Sequence, residues 1–321
     1  MPSDFQGKRI VILGLARQGM ALARYLAEAG ARVIVSDAQP ADKLAAAIAA
    51  LSDLTIEYAL GGHPLSLLDE ADLLCLSGGV PSDLPVVREA RHRGIPLSND
   101  AQIFLEACPA TVIGITGSAG KTTTTTLVGR MLRVEGGGRR GTLHAAPSTL
   151  HPVWVGGNIG NPLIAEVRQM RAEDWVVMEL SSFQLELMSR SPQVAAVLNI
   201  TPNHLDRHGT MEAYAAAKSN ILRHQSASDV AVLGLDDPGA RGLASLVRGE
   251  LLYFSAEREV EAGACLRAEQ IVFRRAGREQ AVCAVSEIQL RGQHNVLNVL
   301  AACAISGAAG ATPEMMRAGT L

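Results

Sequence analysis

Between residues 8 and 107 short apolar runs alternate with stretches whose apolar positions recur at helical spacing. The runs at 9–13, 32–36, 72–76 and 95–97 read as strands, and 18–29 and 84–93 as helices. Strand, helix and strand in repetition build a parallel sheet flanked by helices, so the chain is expected to open with a Rossmann-like α/β domain over residues 1–108. Cys108-Pro109-Ala110 marks a boundary, and a new strand at 111–115 starts a second α/β unit over residues 109–321. Its further strands are expected at 175–180, 194–200 and 230–235. Residues 135–151, rich in Gly with two adjacent Arg and without periodicity, read as a surface loop. Short strands over 251–290 predict a small antiparallel flank, followed by a helix from about His294. Thr312-Pro313-Glu314 has the form of an N-cap with proline at the first helical position. The nearness of that helix to Leu321 suggests a longer parent protein.

The second unit opens with the densest chemistry. Val112-Ile-Gly-Ile-Thr-Gly-Ser-Ala-Gly-Lys-Thr-Thr is a strand, a glycine-rich turn and a helix start. Backbone N–H groups in such a turn cradle phosphate oxygens, with the helix N-terminus behind them. Lys121 supplies a point charge to the phosphates, and the Thr122 hydroxyl is suited to Mg²⁺. The strict G-x-x-x-x-G-K-[ST] pattern is missed by one position, because Ile115 stands where the first glycine belongs. Glu179 ends an apolar strand, at the carboxyl edge where parallel sheets bind ligands. The loop after the next strand carries His204, Asp206, Arg207 and His208, on the same edge. On the helix expected over 210–224, Tyr214, Ala217, Lys218 and Ile221 share one face. A lysine on an apolar stripe either snorkels to water or is held at an active-site wall. In the first unit, Gly14-Leu-Ala-Arg-Gln-Gly resembles a dinucleotide fingerprint, but Ala16 replaces the glycine that admits a pyrophosphate, which disfavours a nicotinamide dehydrogenase. Asp37 and the turn Ser77-Gly78-Gly79 follow on the same edge.

Composition narrows the class. A chain of 321 residues with 48% hydrophobic content can bury two cores. A net charge of −3 gives no general basic field for nucleic acid. The N-terminus lacks the basic and apolar blocks of a signal peptide. The apolar stretch 11–35 is broken by Arg17, Arg24, Glu28 and Arg32, which excludes a membrane span there. The cysteines at 75, 108, 265, 283 and 303 have no CxxC pairing or zinc spacing, and read as buried small apolar side chains in a reducing compartment. The expectation is a cytoplasmic monomer with neither nucleic-acid nor membrane partners.

Taken together, Thr116-Gly-Ser-Ala-Gly-Lys-Thr, Gly156-Gly-Asn-Ile-Gly, Glu179-Leu-Ser-Ser-Phe-Gln-Leu-Glu, Asn203-His-Leu-Asp-Arg-His, the pair Tyr214 and Lys218, and Gly292-Gln-His-Asn-Val-Leu-Asn resemble the Mur ligase family. The correspondence runs over nearly the entire chain. The second and third of these motifs resemble the members that add D-glutamate to UDP-N-acetylmuramoyl-L-alanine. The resemblance implies an ATP-driven ligase of peptidoglycan precursor synthesis, in which the substrate carboxylate becomes an acyl phosphate and the D-glutamate amine displaces phosphate. It implies that Gly117, Ser118, Ala119, Gly120, Lys121, Thr122 and Thr123 hold the ATP phosphates, with Asn295 and Asn298 near the adenine. It also implies two Mg²⁺ positions served by Thr122, Glu179, His204 and a carbamoylated Lys218, with Lys121, His204 and Lys218 as the catalytic set. Asn158 and Ser181 would line the same site. Leu15, Asp37, Ser77, Gly78 and Gly79 would take the UDP end of the substrate.

Three departures from the family pattern stand out. Gly78 occupies a position where proline is usual, and the loop at 135–151 is longer and more basic than the pattern. No Asp-Ser-Lys motif or Pro-His-Arg segment of the family's D-glutamate-binding third domain follows Leu321, so these 321 residues are expected to bind UDP-linked substrate yet make little or no amide. Two other readings compete. One is a non-catalytic nucleotide-binding switch or degenerate paralogue, against which Lys121, Glu179, His204 and Lys218 all count. The other is a folyl-polyglutamate type ligase, against which the first domain and Ser181-Ser-Phe-Gln count.

Overall fold

The computed structural model describes residues 4–133, 152–203 and 205–321. The expected loop at 135–151 and His204 therefore lie outside the described residues. The chain divides into two compact units, one of Met1–Cys108 with Asn161–Gln169 and one of Pro109–Gly160 with Met170–Leu321.

The first unit runs β1 (Arg9–Leu13), α1 (Arg17–Glu28), β2 (Arg32–Asp37), α2 (Ala41–Ala49), β3 (Ile56–Leu60), β4 (Leu73–Leu76), α3 (Pro85–His92), β5 (Leu97–Ser98) and α4 (Asp100–Ala107). Its described strands form a parallel sheet in the order β3-β2-β1-β4-β5. The chain reverses its direction of growth between β1 and β4, where such sheets open a crevice for ligands. Ile10, Val11, Ile12 and Leu13 of β1 are all fully buried, as a strand covered on both faces requires, and so are Leu22 and Leu26 of α1. Strand β5 starts at Leu97, later than expected, because Pro96 lacks an N–H and contributes only its carbonyl, to Leu74 N. The segment 161–169 joins this unit: Leu163 and Ile164 are buried. Its Arg168 pairs with Glu28 at 3.2 Å and lies 5.6 Å from the Tyr25 ring centroid.

The second unit runs β6 (Thr111–Thr116), α5 (Lys121–Arg133), β7 (Val153–Gly157), β8 (Trp175–Glu179), α6 (Ser182–Glu186), β9 (Val194–Val197), α7 (Leu205–His208), α8 (Met211–Arg223), β10 (Val230–Gly234), α9 (Pro238–Arg241), β11 (Glu250–Ser255), β12 (Gly263–Arg267), β13 (Gln270–Arg275), β14 (Arg278–Ala284), α10 (Gln293–Ala308) and α11 (Pro313–Thr320). Its described strands make one sheet in the order β14-β13-β12-β11-β10-β9-β6-β8-β7. The interior strand β6 carries the glycine-rich turn, flanked by β8 and β9, so the ends of all three meet at one edge. Met131 of α5, Ile305 of α10 and Met315 of α11 share the core on one face.

The expected antiparallel flank is corrected in part. β11 and β12 continue the parallel sheet from β10, and antiparallel pairing begins only at β12–β13 and β13–β14. Four cysteines are buried and Cys108 is only partly so; all are free thiols. Among the described residues no helix is long and apolar enough to cross a membrane.

Candidate functional site

β6 delivers the chain to Thr116 and α5 begins at Lys121, so residues 117–120 must reverse direction within one tight turn. Gly120 makes this possible with φ +82°, a region L side chains rarely enter; a Cβ there would also fall 2.3 Å from Asn298 Oδ1. The amides of Lys121, Thr122 and Thr123 open α5, where first-turn N–H groups have no partner within the helix. Together with the helix dipole they form an anion site.

Two lysines converge on this turn. Lys121 Nζ donates to the Gly117 carbonyl at 2.9 Å, and Lys218 Nζ donates to the same oxygen at 3.0 Å and to Thr116 Oγ1 at 3.3 Å. Lys218 is 1% exposed, which rules out snorkelling. Its ammonium also lies 4.7 Å from the Tyr214 ring centroid. Burial, and secondly the neighbouring Lys121 charge, push the Lys218 amine down to about 7. Burial also lowers Lys121, against the pull of Glu179.

Glu179, at the end of β8, is 2% exposed. Its Oε2 accepts the Thr122 hydroxyl at 2.8 Å and its Oε1 accepts Asn158 Nδ2 at 2.8 Å. Asn158 is held in turn by its own N–H on the Glu179 carbonyl at 2.9 Å. Thr122, Asn158 and Glu179 thus present hard oxygen donors beside the glycine-rich turn, the ligand chemistry Mg²⁺ prefers. Among the described residues no group of three His, Cys, Asp or Glu side chains is placed to hold a metal ion.

Other residues named from the sequence have separate employment. Ser181 caps α6: its hydroxyl accepts Gln184 N–H at 3.2 Å while Gln184 Oε1 accepts Ser181 N–H at 3.1 Å. His208 Nε2 is 2.9 Å from Ser182 Oγ, and its ring stacks on Phe183 at 5.1 Å. Arg207 covers Phe183 at 4.8 Å, whereas Asp206 is exposed. Asn298 Nδ2 donates to Asn295 Oδ1 at 3.1 Å, and Asn295 Nδ2 to the Arg291 carbonyl at 2.8 Å. Beside Asn298 opens a cavity of about 300 Å³, walled by Leu198, Phe254 and Leu297 and reaching Ala119.

Sequence reading gave neither Tyr214 nor Asn199 a contact with the turn. Tyr214 OH lies 3.0 Å from Ser118 Oγ, and Asn199 bonds the backbone of the turn. The apolar stripe of α8 marks Tyr214 as buried, but nothing in the stripe tells that its hydroxyl meets the turn.

In the first unit the carboxyl edge gathers Leu15, Asp37 and the turn at 77–79. Asp37 Oδ2 accepts Leu15 N–H at 2.7 Å and Oδ1 accepts Gln39 N–H at 2.8 Å, so this carboxylate sets the path of the β1 loop. Gly78 N–H donates to Gln18 Oε1 at 3.1 Å. The Ser77 hydroxyl is buried with no hydrogen-bond partner among the described residues. An unpaired buried hydroxyl costs about 1–3 kcal/mol.

The family model for the Mur ligase middle domain matches residues 115–306, and that for the Mur ligase MurD-like N-terminal domain matches residues 8–99. The UDP-N-acetylmuramoylalanine--D-glutamate ligase of Koribacter versatilis (strain Ellin345) is 41% identical over 315 residues, spanning 98% of this chain and 66% of that protein. The protein of the same name from Symbiobacterium thermophilum is 43% identical over 314 residues, spanning 97% of this chain and 66% of that protein. The chain therefore spans just under two thirds of the length of these relatives. Among solved structures, the UDP-N-acetylmuramate:L-alanyl-gamma-D-glutamyl-meso-diaminopimelate ligase from Neisseria meningitides aligns with a TM-score of 0.62 at 19% identity, covering 98% of this chain and 97% of that one. The UDP-N-acetylmuramate-alanine ligase from Thermotoga maritima aligns with a TM-score of 0.55 at 21% identity, covering 97% of this chain and 67% of that one. Both share the α/β fold.

Proposed function

The chain belongs to the Mur ligase family, and on that premise we propose that it serves the ATP-dependent addition of D-glutamate to UDP-N-acetylmuramoyl-L-alanine in peptidoglycan precursor synthesis. In this reading the first unit takes the UDP end of the substrate through Leu15, Asp37 and the turn at 77–79, and the second takes ATP at residues 117–123. The observation that carries the reading is the buried Lys218 meeting Lys121 on the Gly117 carbonyl, behind a phosphate-binding turn and beside the Glu179–Thr122 pair.

A carboxylate oxygen of the substrate bonds to the γ-phosphorus as the bond from that phosphorus to ADP breaks, giving an acyl phosphate. The D-glutamate amine then bonds to the acyl carbon, phosphate leaves, and the amine gives up a proton. Such phosphoryl transfer depends on positioning and charge neutralisation more than on a protein nucleophile. Lys121 and the first amides of α5 neutralise and orient the phosphates. Thr122, Glu179 and His204, with Lys218 as its carbamate, would hold Mg²⁺ at two positions, which supplies further charge neutralisation when bound. The hard-oxygen set at Thr122, Asn158 and Glu179 fits that ion. The depressed Lys218 amine supports the carbamate: a neutral amine bonds to the carbon of CO₂ and sheds a proton, giving one negative charge shared by two oxygens where a misplaced cation would stand. The cavity of about 300 Å³ beside Asn298 suits the adenine, with Asn295 behind it.

Thermal melting of the 321-residue chain tests the proposal, because a ligand that binds only the native state raises its apparent stability. Mg²⁺ with ATP and, separately, UDP-N-acetylmuramoyl-L-alanine should each raise the melting temperature. A shift with ATP and none with the UDP substrate would favour a nucleotide-binding switch instead.

A further inference from the structure

The phosphate-binding turn is gripped from behind by the chain leaving β9. The Asn199 carbonyl accepts Ser118 N–H at 3.0 Å. Its side-chain Oδ1 accepts Ala119 N–H at 2.9 Å, and its Nδ2 donates to the Ala119 carbonyl at 3.2 Å. The reversed amide would set oxygen against oxygen and N–H against N–H, so this two-point pairing admits a single side-chain orientation. Ser118 is closed off in the same way: its hydroxyl donates to the Thr201 carbonyl at 2.9 Å, accepts Thr201 N–H at 2.9 Å, and meets Tyr214 OH at 3.0 Å.

This geometry has a directional consequence. The N–H groups of Ser118 and Ala119 are committed to Asn199, so the turn offers a ligand the amides from Gly120 onward, at the head of α5. Asn199 thereby sorts the turn's donors into a structural pair and a phosphate-facing set. We propose that Asn199 is a positioning residue for the ATP phosphates, acting through Ala119 by fixing the peptide plane that precedes Gly120. The inference rests on the ATP reading of this turn. Oriented donors lose little freedom when the phosphate arrives, whereas a loose turn must first be ordered.

The test uses the 321-residue chain with Asn199→Ala and Asn199→Asp. Affinities for Mg²⁺ with a non-hydrolysable ATP analogue and for adenosine are measured beside amide hydrogen exchange at Ala119. Asn199→Ala should weaken the ATP analogue by about tenfold or more, leave adenosine unchanged, and speed exchange at Ala119. Asn199→Asp keeps the acceptor for Ala119 N–H but sets an anionic oxygen against the Ala119 carbonyl and beside the phosphates, so it should weaken the ATP analogue at least as much as Asn199→Ala. It also serves as the folded variant if Asn199→Ala melts early. Unchanged ATP affinity in the variants overturns the inference while leaving the ATP reading intact. An equal loss for adenosine overturns it in favour of a direct contact with the base, since Asn199 also borders the cavity beside Asn298. Failure of the unsubstituted chain to bind the ATP analogue sinks the ATP reading, and the inference with it.

Discussion

The Lys218 amine has one carbonyl and one hydroxyl as hydrogen-bond acceptors and a second lysine beside it, inside a site 1% exposed. That environment favours the neutral amine, and it links stability to pH. The folded-state value of about 7 lies below the ordinary lysine value of 10.5. Between these two the unfolded chain holds a proton that the folded chain lacks, so raising the pH stabilises the fold across that window, and the full penalty applies below it. In metal-free, CO₂-free buffer, Lys218→Met should gain most on the unsubstituted chain near about pH 6, with the gain shrinking toward about pH 9. Melting at several pH values checks this, and a difference that does not vary with pH would contradict it. The anomaly at Lys218 was legible in the sequence, because the helical period set the lysine among Tyr214, Ala217 and Ile221. Asn199 was not. Its amide pairs with a backbone 80 residues away, and no local pattern encodes that meeting.

Helix α8 brings Lys218 to the turn, and its start is fixed by Thr210, whose hydroxyl accepts Ala213 N–H at 3.2 Å. Thr210→Ala should cost about 1 kcal/mol, as loss of an N-cap side chain does. Urea denaturation should record a lower midpoint with an unchanged slope, and an unmoved midpoint would remove the cap from the account. Most strands and helices were readable from periodicity, including β1, β6, α1 and the start of α11. The exceptions have physical causes. The direction of β11 and β12 is set by crossover connections, and an apolar run looks alike whichever way it pairs. β7 is short and ends in Gly156-Gly157, and a glycine pair reads as turn before it reads as strand. α2 buries none of its residues fully, and its half-buried stripe of Leu44, Ala47 and Ile48 is set among alanines on its other sides, so its period stands out little.

Over the whole molecule, each unit carries its own sheet and its own carboxyl-edge turn, and the two family matches fall on residues 8–99 and 115–306 separately. The change of unit near Cys108-Pro109 was visible as a break between patterns. The return of residues 161–169 to the first unit was not, because Leu163 and Ile164 lie in a short stretch whose burial depends on α1. The central claim is that ATP is held at the turn headed by Lys121 and the UDP-linked substrate by the edge organised by Asp37. Isothermal titration of the 321-residue chain, Lys121→Met and Asp37→Ala with a non-hydrolysable ATP analogue plus Mg²⁺, and with UDP-N-acetylmuramoyl-L-alanine, tests it most directly. Lys121→Met should lose about tenfold or more in ATP-analogue affinity with the UDP substrate unaffected, and Asp37→Ala should do the reverse. ATP-analogue binding indifferent to Lys121→Met, or no binding of the UDP substrate to the unsubstituted chain, would contradict the account.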